Sequence, residues 1–319
     1  MSQAFDNEME RIGGALKAMR EACSAAAAML HNVARELDLP QEALLDAEEK
    51  RLQAEMPERQ AIEAAMARLV EGVAAETGTR KAQFDNRELP TRGERLIGFI
   101  SKTAMRRRQQ ARWRDGAALR KIEELLRRAD RLIGLASEER ALLVVERKES
   151  ENDLVAFIDH RPEVVQKLCG ENGEAMKGVE ATRRMGRAVA IFQTFVDALN
   201  VRVATCNILL HKLTADAEDL LILYQVVAEA GRHDRSLKAD DFPNLSSEIT
   251  RFANGMLTIH GLDRRRQRAD QAFAERFPAE VATGSTVEVE PIKGRFRLPP
   301  GSGFGVRTVL KEASDRLGL

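Results

Sequence analysis

One run of apolar residues constrains this chain more than any other feature. Met185, Val189, Phe192, Val196, Leu199, Val203, Cys206, Leu210, Leu213, Ala217, Leu220, Tyr224 and Val227 follow one another at steps of four and three without a miss. That alternation lays all of them along a single helical stripe. Ile191, Phe195, Val201, Ile208, Leu209 and Leu221 widen the stripe beyond a two-stranded seam. Such a helix has to be covered on several sides, which predicts a place at the centre of a bundle. Met185, Val189, Phe192, Val196, Leu199 and Val203 are the expected assembly seam. The partner helix could belong to this chain or to a second copy.

A second seam runs Phe5, Met9, Ile12, Leu16, Met19, Cys23, Ala26, Leu30, Val33, Leu37. Leu39-Pro40 predicts its end, because the residue before a proline is pushed out of the α region. Helix is expected to resume after Pro40 and to restart at Pro57, with Ile62, Met66, Leu69 and Val73 on one face. Gly78 reads as its C-cap, and residues 78–93 as a connection. Residues 92–160 read as one long helix or two nearly continuous ones, basic at the start. Ala118, Ile122, Leu125, Ala129, Leu132 and Ala136 form its later seam. Arg161-Pro162 predicts the next break. A last helix is expected from about Pro243 to Phe277, using Leu245, Ile249, Phe252, Met256 and Ile259.

Past Pro278 the prolines and glycines predict a non-helical tail over 279–319. It would be an extended docking segment or a hairpin at Thr286–Glu290, followed by a short terminal helix from Val306 to Leu317. Aromatic residues make up only 4% of the chain, which agrees with helix over sheet. The expected fold is therefore all-α: an elongated bundle of long coiled-coil-like helices with a non-helical tail. Its parts would be an acidic helical hairpin (1–77), a long basic-to-mixed helix (92–160), the central apolar helix with a packing helix (162–278), and the tail.

Several functional classes lose support on these grounds. No uncharged apolar stretch reaches the ~18 residues that suggest a transmembrane helix, and Met1–Glu8 is acidic with no apolar core, unlike a secretory signal. Three cysteines cannot build a disulfide framework, and the chain reads as cytoplasmic, with a peripheral site at the inner membrane as the variant of that reading. Cys23 and Cys206 fall on the seams, where cysteine behaves as a small hydrophobe. No phosphate loop, dinucleotide-binding glycine motif, nucleophile elbow, Cys-x-x-Cys or His-Glu-x-x-His occurs. No cofactor is expected. One metal constellation can be written, from His211, His233-Asp234 and Asp241 or Asp263, as in an all-α metal phosphohydrolase. Arg232 and Arg235 flank its His-Asp pair and would repel a divalent cation, so a solvated loop is the favoured reading.

The 50 basic and 50 acidic residues cancel, yet they are not mixed evenly. Residues 1–76 hold 15 acidic and 8 basic groups, and residues 77–135 hold 7 and 16. The second block contains Arg106, Arg107, Arg108, Arg112, Trp113 and Arg114, preceded by Leu96-Ile97-Gly98-Phe99-Ile100. This is a basic amphipathic segment with three readings. It could be a solvated face pairing with the acidic 1–76 region, within or between chains. It could be a peripheral contact to anionic lipid, with Trp113 and Phe99 at the interface. Nucleic acid ranks third, because no recognition module surrounds the arginines. Arg264-Arg265-Arg266-Gln267-Arg268 repeats the theme more weakly.

The segment Asn172-Gly173-Glu174-Ala175-Met176-Lys177-Gly178-Val179-Glu180-Ala181 resembles the Asn-x-Glu-Leu-x-x-Gly-Val-Asp-x-Ala segment of toxic-anion-resistance (tellurite-resistance) helical proteins. In that family it opens a long apolar helix with an Ala-Leu-x-Asn element, which Ala198-Leu199-Asn200 resembles here; the likeness spans about residues 162–205. Ala175 stands for the family's Leu, Glu180 for its Asp, and Arg183-Arg184 for its hydroxyl-rich turn. The resemblance implies a cytoplasmic all-α protein linked to oxyanion or envelope stress, and it carries over no catalytic residue. The functional expectation is a non-catalytic scaffold or adaptor that associates with itself or with another helical protein. The alternative is a peripheral binder of anionic membrane or nucleic acid through Arg106–Arg114. No small-molecule ligand is indicated.

Overall fold

The computed structural model describes residues 2–88, 90–113, 116–170, 178–231, 237, 239–247 and 259–284. Among the described residues there is no strand, and the fold is all-α. Helix α1 spans Ser2–Glu36, α2 Glu42–Glu88, α3 Arg92–Ile100, α4 Lys102–Trp113, α5 Gly116–Asp159, α6 Arg161–Gly170 and α7 Gly178–Gly231. A 3-10 turn at Ala239–Asp241 and a helical turn at 243–247 precede α8, Ile259–Arg276, and α9, Pro278–Gly284.

These helices form two compact units, each made of two separate stretches of chain. The first comprises Met1–Met66 and Leu135–Asn207, the second Ala67–Gly134 and Ile208–Leu319. Helices α2, α5 and α7 each contribute one segment to either unit. The four consecutive segments expected from the sequence are not these units. The reason is physical: apolar periodicity fixes which face of a helix is buried, not which distant helix buries it.

In the first unit Ile12, Leu16, Met19, Cys23, Ala26, Leu30 and Val33 of α1 are buried along the expected seam. From Cys23 onward they share a core with Leu45 and Leu52 of α2, Leu154 and Phe157 of α5, Val164 of α6, and the first half of α7. Phe157 and Phe192 meet edge to face, with ring centroids 5.9 Å apart, a geometry that adds to their area burial. In the second unit the α5 seam from Ala118 to Leu132 is buried, as are Leu210, Leu213, Ala217, Leu220, Tyr224 and Val227 of α7. Phe242, Leu245 and Phe273 are buried there too.

Several boundaries differ from expectation. Helix α1 stops at Glu36 rather than at Pro40, because Leu37 turns left-handed (φ 55°) while its N–H still bonds the Val33 carbonyl at 3.1 Å. Helix α2 runs through Pro57 and Gly78 instead of restarting and stopping there. Leu52 and Ile62, buried on either side of Pro57, hold it helical against the local penalty. Past Gly78, which was expected to cap it, Thr77 and Thr79 donate to the Val73 and Ala75 carbonyls and the turn persists. Val70 is buried where Leu69 was expected, a shift of one position.

The expected 92–160 helix is three helices. Ser101 ends α3 in an extended conformation, and its hydroxyl accepts from the Ala104 N–H at the start of α4. The break at Arg161-Pro162 is a hinge of one residue, His160, whose backbone still bonds on both sides. Pro278 starts α9 rather than a tail, as proline can in a first helical turn. The rest of the expected tail, 285–319, and Ile249, Phe252 and Met256 lie outside the described residues.

Helix α7 meets the length and composition test for a membrane span that the sequence was not expected to meet. Half of its most apolar stretch is buried inside the chain, as in the core helix of a bundle.

Candidate functional site

Helices α3 and α4 form a small hairpin in the second unit. Thr91 caps α3: its hydroxyl accepts from the Glu94 N–H, and the Glu94 carboxylate accepts from the Thr91 N–H at 2.8 Å. This reciprocal capping box satisfies two orphan donors of the first turn. The same buried carboxylate takes a 2.7 Å bond from the Arg112 guanidinium of α4. Gly98 lets the two helices close, because a β-carbon there would stand 2.7 Å from the Met105 sulfur.

Large apolar and cationic side chains of this hairpin lie in solvent. Leu96 is 68% exposed, and Phe99 and Ile100 are each 90% exposed. Arg106, Arg107 and Arg108 are exposed on α4. Arg112, expected among the binding residues, is half-buried and held by Glu94. Trp113 ends α4, while its side chain and the whole of Arg114 lie outside the described residues. The arginine run therefore divides into an exposed triad and one structural member.

The six seam residues lie in the first unit. Met185, Phe192, Val196, Leu199 and Val203 are buried, and Val189 packs partly buried against the same core. Their neighbours are α1, α2, α5 and α6 of this same chain, so the seam is filled from within it.

Buried polar groups cross that core. Arg202 donates to the Glu139 carboxylate at 2.7 Å and to the Cys23 sulfur at 2.7 Å. Glu55 lies 3.8 Å from it and is itself paired with Arg51 at 2.5 Å. Burial pushes the Cys23 thiol up to about 11, against the opposing pull of the Arg202 charge. The Cys206 thiol rises to about 12 for the same first reason, with the Glu139 charge adding to it. Both are neutral thiols near neutral pH, poor nucleophiles by that criterion.

At the α1–α2 turn, Arg184 donates to the Pro40 carbonyl, and Arg187 reaches Glu42, Asp46 and Glu49 at 2.9, 2.5 and 2.6 Å. The acidic N-terminal region thus meets arginines of α7 here. No basic block announces this pairing, because Arg184, Arg187 and Arg202 sit in a stretch, residues 136–260, with 20 acidic and 15 basic residues. The available signal was Arg202 itself, a cation set between two valines of an apolar stripe.

The second unit has its own cluster. Lys212 bonds Asp216 at 3.0 Å and Asp270 at 2.7 Å. Burial pushes the Asp216 carboxyl up to about 6, although the Lys212 charge pulls it down. Arg265 and Arg266 pair with Glu218 and Asp219 of α7. Two arginines of the weaker basic run are therefore occupied within the chain. Asp130 accepts from Asn244 at 3.0 Å and from the Leu245 N–H at 2.9 Å, anchoring the turn at 243–247.

Among the described residues no three His, Cys, Asp or Glu side chains gather to hold a metal ion. His211 and Asp241 are described; His233, Asp234 and the Asp263 side chain are not. No protein family, curated protein or solved structure matches the chain.

Proposed function

We propose that the protein is a non-catalytic helical scaffold that self-associates through the outer face of α5 in its first unit. The observation that carries this reading is a group of aliphatic side chains left in solvent. Val145 and Val155 are 57% and 59% exposed, and Leu142, Val144 and Ile158 are exposed on the same helix. Single exposed aliphatics need no explanation, whereas several along one helix form a candidate contact.

Their spacing favours a second copy as the occupant. Val145 and Val155 stand five residues to either side of Ser150. Two such helices meeting antiparallel at the level of Ser150 would set Val145 against Val155. That contact would occur twice, as a two-fold interface requires. The link to toxic-anion or envelope stress rests on the family resemblance of residues 162–205.

Light scattering after gel filtration tests the association. The expected mass is twice the 35.5 kDa of the chain, falling to one chain in Val145→Glu/Val155→Glu with an unchanged helical signal. A monomeric wild type, or a variant that stays dimeric, refutes the α5 interface.

A further inference from the structure

We propose that the α3–α4 hairpin docks the protein on an anionic lipid surface, its Leu96/Phe99/Ile100 face entering the interface while the α4 arginines hold the headgroups. This surface lies in the second unit and is independent of the α5 contact.

Charge is the first argument. Residues 90–113 contain seven basic residues and one acidic residue, Glu94. That carboxylate is buried and held by Thr91 and Arg112. The exposed charges of the hairpin are therefore all positive: Arg92, Arg95, Lys102, Arg106, Arg107 and Arg108. Each cation near an anionic leaflet contributes to attraction, and the effect fades within a Debye length.

The apolar face is the second argument, and it separates lipid from nucleic acid. Leu96, Phe99 and Ile100 recur at the three- and four-residue steps of one helical face. Arg92 and Arg95 stand four residues before Leu96 and Phe99, which places two cations on the same side of α3. Phosphate contacts along a duplex need only the cations, whereas a bilayer interface uses both apolar residues and cations.

The local construction supports a docking element as well. The capping box and the Glu94–Arg112 bond fix the hairpin from within, so its outer side chains can be replaced without dismantling it. The Met105 side chain lies over Gly98, where a β-carbon would stand 2.7 Å from its sulfur. The hairpin thus carries exposed apolar side chains on α3 and exposed cations on both of its helices.

Flotation of the full chain with vesicles tests the proposal. Wild-type protein is expected to float with phosphatidylglycerol–phosphatidylcholine vesicles and to stay behind with phosphatidylcholine alone. Arg106→Glu/Arg107→Glu/Arg108→Glu should weaken binding by at least about a hundredfold, and Phe99→Asp/Ile100→Asp by about tenfold or more. Phe99→Ser/Ile100→Ser serves as a milder pair, and thermal melts followed by circular dichroism confirm that the variants fold. Equal flotation with neutral vesicles, or wild-type flotation by either apolar pair, overturns the proposal. So does retention of a DNA duplex by protein that fails to float, which would assign the arginines to nucleic acid.

Discussion

Arg202 of α7 and Glu139 of α5 form a 2.7 Å ion pair whose side chains are only 4% and 3% exposed. A pair so deep in a helical core has traded most of its hydration for a few partners, with Glu55 3.8 Å from Arg202 and Arg20 3.5 Å from Glu139. Removing either side strips the other of its shortest ion pair, which costs up to about 3–5 kcal/mol. Arg202→Ala and Glu139→Ala should each lower the urea midpoint accordingly. Arg202→Met combined with Glu139→Leu should recover part of the loss, because both charges of the pair are then apolar while Glu55 keeps Arg51 and Arg20 keeps Glu138. A double variant as unstable as the single ones would show that the pair is a net stabiliser.

A half-buried arginine among exposed carboxylates should matter less. Arg187 faces three carboxylates, Glu42, Asp46 and Glu49, all in solvent. Solvent and salt screen such contacts. Arg187→Ala is expected to melt close to wild type, and any difference should vanish at high salt. A loss as large as that of Arg202→Ala would contradict the ranking.

Two glycines should respond in opposite directions to alanine. In α1, Gly13 has open space where a β-carbon would lie, so Gly13→Ala should stabilise by about 0.5–1 kcal/mol through helix propensity. Gly134 of α5 has the Asn244 amide nitrogen 2.8 Å from that position. Gly134→Ala would push Asn244 off Asp130 and give up a bond to a charged acceptor, worth about 1.5–3 kcal/mol. The helical gain of about 1 kcal/mol offsets only part of that. Chemical denaturation should find the second variant less stable than wild type.

Asp216 predicts a pH dependence. Its carboxyl, raised to about 6 by burial, takes up a proton in the folded chain at a pH where the unfolded chain, near about 3.9, does not. The stability it contributes is fully present below the unfolded value and is lost as pH rises through about 6. Lys212 and Asp270 bond within this cluster, Arg266 lies near Asp270, and the Glu71 carboxyl, also raised by burial, faces them from α2. Between pH 7.5 and pH 5 the Asp216 contribution should favour the folded state by about 1 kcal/mol. Asp216→Asn should remove that portion, read as a smaller shift of the urea midpoint between the two pH values.

The two strongest seams show how much of the fold could be read directly. From Ile12 to Val33, and from Phe192 to Val227, nearly every expected position is buried, because a period of three and four is a local property of the chain. Boundaries were less legible. Leu37 ends α1 by a backbone rotation that Leu does not advertise, while Pro57 fails to end α2 because distant packing outweighs its local penalty. The hairpin was half legible: Phe99 and the arginine run stood out as one basic amphipathic segment. Its division at Ser101 rests on a hydroxyl cap three positions on, and the removal of Arg112 from the exposed set on Glu94 eighteen positions away. The Arg202–Glu139 pair spans 63 positions, and no periodicity reports which helix will lie opposite.

Neither compact unit is a continuous piece of chain, and this sets an order of events during synthesis. The stretch Met1–Met66 emerges from the ribosome long before its complement, Leu135–Asn207. At about 5–20 residues per second, the apolar face of α1 waits on the order of ten seconds for the α7 segment that covers it. During that interval the nascent chain offers a ready-made binding stripe to chaperones, or to the same stripe on a neighbouring polysome.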